Sequence, residues 1–216
     1  NHEVKVTKDI FWNGFKELKL VWKQLDHHLG LKRFLPAFFL YSMALQTVLL
    51  VAAYYGEEEI AWASSSEKTI GLIVSILLIQ IVAIFGAILT ARASERFGNI
   101  PVLIAINGIW AVLCVVAYYT RTPMQFYIVA GFVGMVMGGM QSLSRSTYSK
   151  LLPETRDTTS FFSFYDVTEK IGIVIGMVCF GLIDHISGSM RNSILFFIVF
   201  FILGGIMLLR IPFKRS

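Results

Sequence analysis

Long apolar runs alternate with short polar breaks along most of this chain. Six such runs lie at 33 to 55, 69 to 91, 100 to 119, 124 to 145, 166 to 187 and 192 to 210. Each reaches or approaches the about 20 residues that an α-helix needs to cross the hydrocarbon core of a bilayer. The connections at 92 to 99, 120 to 123 and 188 to 191 are short, which forces the helices they join to run antiparallel. A longer, acidic loop at 56 to 68 carries Glu57, Glu58, Glu59 and Glu67.

A different pattern precedes the first run. Phe11, Phe15, Leu18, Trp22, Leu25 and Leu29 recur at steps of three and four, with Lys16, Lys19, Lys23 and Asp26 at other positions and Thr7 available as an N-cap. This predicts an amphipathic helix over 7 to 29, too charged to span. It would lie in the membrane interface or against the cytoplasmic mouth of the bundle, or serve as a solvated linker. The expected organisation is a cytoplasmic linker over 1–32 and a six-helix transmembrane domain over 33–216, an all-α integral membrane protein.

Composition agrees with the pattern. The chain is 56% hydrophobic and 15% charged, with 18 phenylalanines, outside the range of ordinary soluble domains. Cys114 and Cys179 both fall inside apolar runs, as small core residues rather than a disulfide or metal framework. The chain opens on a polar, charged stretch, from which no cleavable signal is expected.

The net charge of +5 raises the question of nucleic acid, but the basic residues cluster beside the apolar runs, and no basic-aromatic module lies outside them. Membrane orientation accounts for them better. Lys5, Lys8, Lys16, Lys19, Lys23, Lys32 and Arg33 precede or open the first run. Arg92 and Arg96 follow the second, Arg145, Lys150 and Arg156 surround the fourth connection, and Arg210, Lys214 and Arg215 end the chain. The opposite side has Lys68, Arg121 and Arg191. The positive-inside rule then predicts cytoplasmic termini, with Tyr54, Tyr55, Trp62, Tyr118, Tyr119 and Tyr127 as an outer aromatic belt, packing being the alternative for any single one of them.

No metal-ligand cluster, phosphate-binding glycine loop or nucleophile elbow is visible, so the chain does not read as an enzyme and calls for no cofactor. Candidate chemistry lies in polar residues within the apolar runs. Tyr41, Ser42 and Gln46 form a polar strip in the first run, and Gln80 interrupts the second. Gln46 and Gln80 are candidates for cavity contacts or for structural interhelical hydrogen bonds. The fourth run ends on Gln141, Ser142, Ser144, Arg145, Ser146 and Tyr148, and the fifth begins after a loop with Asp166, Glu169 and Lys170. Gln141, Ser144 and Asp166 join the candidate cavity or coupling set. Asp166 and Lys170, four apart, are placed to pair. Buried charge persists by pairing, by snorkelling or by lining a wet path, so this cluster reads as a cytoplasmic gate, as solute or proton handling, or as snorkelling structural residues. Glycines at 131, 134, 138 and 139 and at 172, 176 and 181 predict close helix packing, static or sliding.

Two stretches resemble a known superfamily. Ala91-Arg92-Ala93-Ser94-Glu95-Arg96-Phe97-Gly98-Asn99 is similar to the charged loop of the major facilitator superfamily, with Glu95 at the usual Asp position, Arg96 at the basic position and Gly98 at the turn. Gly138 to Ser146, Leu152-Pro153-Glu154 and Phe161 to Asp166 leading to Lys170 resemble the C-terminal half of its Atg22-like, or UMF1, branch. Phe34 to Tyr41 and Gln46-Thr47-Val48 are similar to that branch's seventh helix. A departure falls at Ser42-Met43-Ala44, where members often carry an acidic or asparagine residue followed by glycine.

The resemblance covers nearly the whole chain and implies a half-bundle, helices seven to twelve of a major facilitator type transporter. The partner it implies is a further N-terminal six-helix half; Glu95 and Arg96 would join Arg145, Asp166, Glu169 and Lys170 in a cytoplasmic gate. Secondary active transport of a small solute by alternating access is implied, with amino acid efflux by analogy with fungal vacuolar members, and with proton coupling. A bacterial inner membrane is the expected location. A non-transporting scaffold or sensor with the same fold, and a dimer of six-helix chains, are the competing readings.

Overall fold

The computed structural model describes residues 29–152 and 158–211. Within them the chain forms six helices: α1 (Leu29–Glu59), α2 (Ser65–Phe97), α3 (Asn99–Tyr119), α4 (Pro123–Leu151), α5 (Thr158–Ser187) and α6 (Met190–Leu208). All six are long and apolar enough to cross a membrane. They form a membrane-spanning all-α bundle of the kind that makes half of a major facilitator fold. The amphipathic helix expected over 7 to 29 lies outside the described residues except for Leu29.

Each apolar run predicts a helix, and several helices outgrow their run because polar residues continue the turn. The largest difference is at α5, which begins at Thr158 where the apolar run starts only at 166. The stretch read as a loop is helical because Phe161 and Tyr165 are buried, and because Tyr148 of α4 donates to the Phe161 carbonyl at 2.6 Å. α4 likewise continues to Leu151.

Helix ends follow local chemistry. Ser64 caps α2 by accepting from the Glu67 amide at 3.1 Å. Thr122 and Gln125 form a reciprocal capping box at the start of α4, with Pro123 at its first turn. Between α2 and α3 the chain reverses at Gly98, whose φ of 88° is open to glycine and costly for other residues.

The described termini of α1, α4 and α6 at Leu29, Leu151 and Leu208 share one end of the bundle with Phe97 and Thr158; Glu59, Tyr119 and Met190 share the other. α2 packs along α4, α3 along α6, and α1 against α5 and α6. Exchanging α1–α3 with α4–α6 maps the α2–α4 contact onto α5–α1 and the α1–α6 contact onto α4–α3. α1 is central, with 61% of its most apolar window buried; the corresponding figures for α2 and α5 are 11% and 17%, so these two lie at the periphery.

Lipid tails are as apolar as leucine, so close packing and internal hydrogen bonds must hold such helices together. At Gly86, Gly134 and Gly138 an added Cβ would run into the carbonyls of Met135, Ile79 and Ala83, so α2 and α4 touch backbone to backbone. Gly172 and Gly176 allow α5 to approach Met43 and Thr47 of α1. Gly131 and Gly181, read as part of the same small-residue faces, meet no neighbour within 4 Å. Cys114 and Cys179 are free thiols, the first buried and the second half-buried.

Two residues of the expected aromatic belt take part in packing. Tyr55 is buried and donates to the Ala117 carbonyl at 2.6 Å, tying α1 to α3. Trp62 likewise spends its indole N–H inside the protein, on the Gly56 carbonyl at 2.7 Å.

Candidate functional site

Three polar stripes converge where α1, α4 and α5 meet. From α1 come Phe38, Tyr41, Ser42, Leu45 and Gln46, spaced three and four apart on one helical face. α4 adds Gln141, Ser144 and Arg145 at the same spacing, and α5 adds Tyr165 and Glu169. Together they line a cavity of about 130 Å³. At 1.5 Å per residue, Gln46 lies roughly 25 Å along α1 from Leu29 and Glu169 roughly 16 Å along α5 from Thr158.

The walls are held by specific bonds. Tyr41 and Ser144 share a buried hydroxyl hydrogen bond of 2.8 Å between α1 and α4. Gln46 donates its amide Nε2 to Glu169 Oε1, linking α1 to α5. Arg145 Nη2 reaches Asp166 Oδ1 at 2.8 Å, linking α4 to α5, and the guanidinium lies 5.5 Å from the Tyr165 ring centre. Phe38 stacks on Tyr165 with centroids 4.1 Å apart, and Tyr148 flanks Tyr165 at 4.9 Å. The lining mixes polar and apolar side chains: one guanidinium, one carboxylate, two amides and several hydroxyls stand beside Phe38, Leu45 and the Tyr41 and Tyr165 rings.

Of the residues singled out from the sequence, Gln46, Gln141, Ser144, Arg145 and Glu169 come together at this cavity. Asp166 stands beside it through its bond to Arg145. Lys170 is exposed and forms no ion pair among the described residues, so the expected Asp166–Lys170 pair is replaced by Arg145–Asp166. The guanidinium of the facing helix meets the carboxylate across the α4–α5 gap.

Gln80 is exposed on peripheral α2, outside the cavity lining. Glu95 and Arg96 are exposed at the end of α2, where the Arg96 guanidinium lies 5.4 Å from the Phe97 ring centre. Next to them is a link that charge patterning did not reveal. Asn99 donates to Thr147 Oγ1 at 3.1 Å and accepts from Lys150 Nζ at 3.1 Å, fastening the start of α3 to the end of α4. Phe38 and Tyr165 were also missed, since aromatic residues in an apolar run carry no signal that separates a cavity wall from packing.

Relatives place this architecture. A protein-family model described as "Vacuole effluxer Atg22 like" matches residues 1–216. The uncharacterised MFS-type transporter YxiO of Bacillus subtilis is 29% identical over 213 residues, covering 99% of this chain and 48% of the relative. Autophagy-related protein 22 of Eremothecium gossypii is 30% identical over 210 residues, covering 88% of this chain and 40% of the relative. The protein of the same name from Yarrowia lipolytica is 25% identical, covering 94% of this chain and 35% of the relative. The chain thus spans less than half the length of these relatives. With a match along its whole length and a six-helix bundle that fits half of the superfamily's fold, the chain belongs to the Atg22-like family of the major facilitator superfamily.

Proposed function

We propose that this chain is the C-terminal six-helix half of a twelve-helix secondary transporter, which moves a small zwitterionic solute, an amino acid, by alternating access. The observation that carries the reading is the cavity itself. Inside otherwise apolar helices, Arg145 offers a cation to a solute carboxylate and Glu169 an anion to its ammonium. Gln46, Gln141 and Ser144 supply neutral hydrogen bonds around them. Phe38 and Leu45 line the same cavity and offer contact to an apolar side chain.

In this reading the Leu29 end faces the cytoplasm of a bacterial cell whose inner membrane holds the protein, and both termini lie on that side. Arg145, Asp166, Glu169 and Lys170, with Glu95 and Arg96 at the loop before α3, remake their contacts as two half-bundles rock. The peripheral helices α2 and α5 leave long apolar faces for lipid and for the N-terminal half. The coupling ion is a proton. Support comes from the family membership and from names such as "Vacuole effluxer", which describe relatives.

The test is counterflow of labelled amino acids into proteoliposomes, comparing this chain alone with the chain joined to an N-terminal six-helix half. Uptake by the joined protein and none by the short chain is the expected result. Silence from the joined protein across the amino-acid pool would overturn the assignment of solute class, and uptake by the short chain alone would overturn the half-transporter reading.

A further inference from the structure

A second cavity, of about 50 Å³, lies between α1, α3 and α4, with Ile79 of α2 and Ile194 of α6 completing its wall. It shares no lining residue with the polar cavity. Its wall is aliphatic and aromatic, and its side chains include three groups able to donate a hydrogen bond: the Tyr55 hydroxyl, the Cys114 thiol and the Trp110 indole N–H. The Tyr55 hydroxyl is spent on the Ala117 carbonyl at 2.6 Å. A thiol is a weak donor. The Trp110 N–H is the strong donor that remains, and it has no acceptor among the described residues although Trp110 is only 1% exposed.

Buried donors in folded proteins are nearly always paired, because an unmade hydrogen bond leaves the full desolvation cost standing. Trp62 obeys this, with its indole N–H on the Gly56 carbonyl. Trp110 is not placed to search for a partner elsewhere. Its ring is stacked on Phe201 of α6, with centroids 5.4 Å apart and planes within 8°. Asn107 Oδ1, three residues away on α3, is likewise without a donor, so the two groups do not serve each other, and Asn107 is outside the cavity lining.

The wall selects what can accept from that N–H. No ionised side chain lines the cavity, so a charged or zwitterionic molecule would lose its hydration and gain no counter-charge. A buried water is held by about two to four polar partners, and this wall offers one strong donor. The volume is several times the roughly 10 to 15 Å³ that a single water needs, which suits a molecule of about three or four heavy atoms. Any hydroxyl on that molecule would find no acceptor among the lining side chains except groups already bonded or a thiol sulfur, so an oxygen that only accepts fits best.

We propose that this cavity binds a small neutral molecule that is apolar except for one acceptor oxygen, a short ketone or ether. Trp110 Nε1 donates to the oxygen, and Leu113, Phe126 and Val133 surround the apolar body. The site is separate from the cavity assigned to the transported solute and does not depend on the transport reading.

Acetone is the probe, since it carries one carbonyl oxygen on a small apolar body and quenches indole fluorescence. It is titrated into the chain joined to an N-terminal half, in detergent, while tryptophan emission is followed. Collision with exposed tryptophans gives quenching that rises linearly, whereas bound acetone adds a component that saturates. The saturating component is expected in the parent protein and absent in Trp110→Phe. It should also be absent in Ala52→Leu and Ala117→Leu, which keep Trp110 and fill the cavity from α1 and from α3. Purely linear quenching in the parent overturns the site. So does a saturating component that survives in Trp110→Phe or in either filled variant. The two fillings come from different helices, so misfolding of one leaves the other to decide.

Infrared spectra test the hydrogen bond itself, because a carbonyl stretch falls in frequency when its oxygen accepts. Bound acetone should show a lowered, saturating carbonyl band in the parent that is lost in Trp110→Phe. The same lowered band in Trp110→Phe overturns the role of the indole N–H.

Discussion

Arg191 and Glu59 join opposite ends of the chain's order at one end of the bundle, with Nε donating to the carboxylate at 2.6 Å. The guanidinium is almost wholly buried. It also donates to the backbone carbonyls of Glu59 at 2.8 Å, Tyr118 at 2.6 Å and Thr120 at 2.8 Å, and lies 5.5 Å from the Tyr55 ring centre. Carbonyls at the last turn of a helix have no partner within it. Arg191, at the start of α6, supplies donors to such carbonyls at the ends of α1 and α3.

Arg191→Ala is therefore expected to destabilise the bundle by about 3 to 5 kcal/mol, the range for breaking a buried ion pair and stranding its partners. Thermal unfolding in detergent measures it. Arg191→Lys should recover only part of the loss, because an ammonium cannot reach carboxylate and three carbonyls in one plane. A transition within error of the parent for Arg191→Ala would show that the cluster forms without holding the helices.

Backbone contact between α2 and α4 makes a second prediction. Gly138→Ala places a methyl against the Ala83 carbonyl, and Gly86→Ala one against that of Met135. Each should cost about 1 to 3 kcal/mol as overpacking, read from the same unfolding assay. Gly131→Ala, where nothing lies within 4 Å, should be neutral or slightly stabilising, since alanine is the better helix former. Equal behaviour at Gly131 and Gly138 would argue against the close seam.

Hydrophobic length made the six helices legible, because crossing a membrane demands a run that few other structures need. Polarity within those runs singled out Gln46, Gln141 and Ser144 for a cavity and Arg145 and Glu169 for a gate, and the structure brings all five to one cavity. Partner choice was not. The i to i+4 rule pointed Asp166 at Lys170 within one helix, while the structure gives it to Arg145 on another. Gln80 has the same composition signal as Gln46 but occupies the exposed face of α2. The faces of an all-apolar helix cannot be told apart by periodicity, so only helix packing separates the two glutamines. The cluster around Arg191 was hidden for a related reason, since three of its acceptors are backbone carbonyls that no side-chain pattern encodes.

The Tyr41–Ser144 bond offers a test of how the cavity wall is held. Tyr41→Phe and Ser144→Ala each remove one side of a buried 2.8 Å hydrogen bond. Each variant alone should lower stability by about 1 to 3 kcal/mol, because the other hydroxyl is left unpaired away from water. The double variant should cost less than the sum. Strict additivity in that cycle would mean that the two hydroxyls find other partners.

Arg145 should set the affinity for the solute carboxylate, and Asp166 should oppose it. The two side chains are 57% and 51% exposed, so their ion pair contributes at most about 1 kcal/mol and is easily exchanged for another anion. Asp166→Asn removes the competitor and is expected to lower the half-saturation concentration of amino-acid counterflow in the joined protein. Arg145→Lys keeps the charge but loses the planar fork that grips a carboxylate with two parallel bonds, and should raise it. Because the pair is weak, neither change should move the unfolding temperature much, which separates a binding effect from a structural one. Half-saturation that moves in the same direction for both variants would mean that Asp166 holds Arg145 in its working position rather than competing for it.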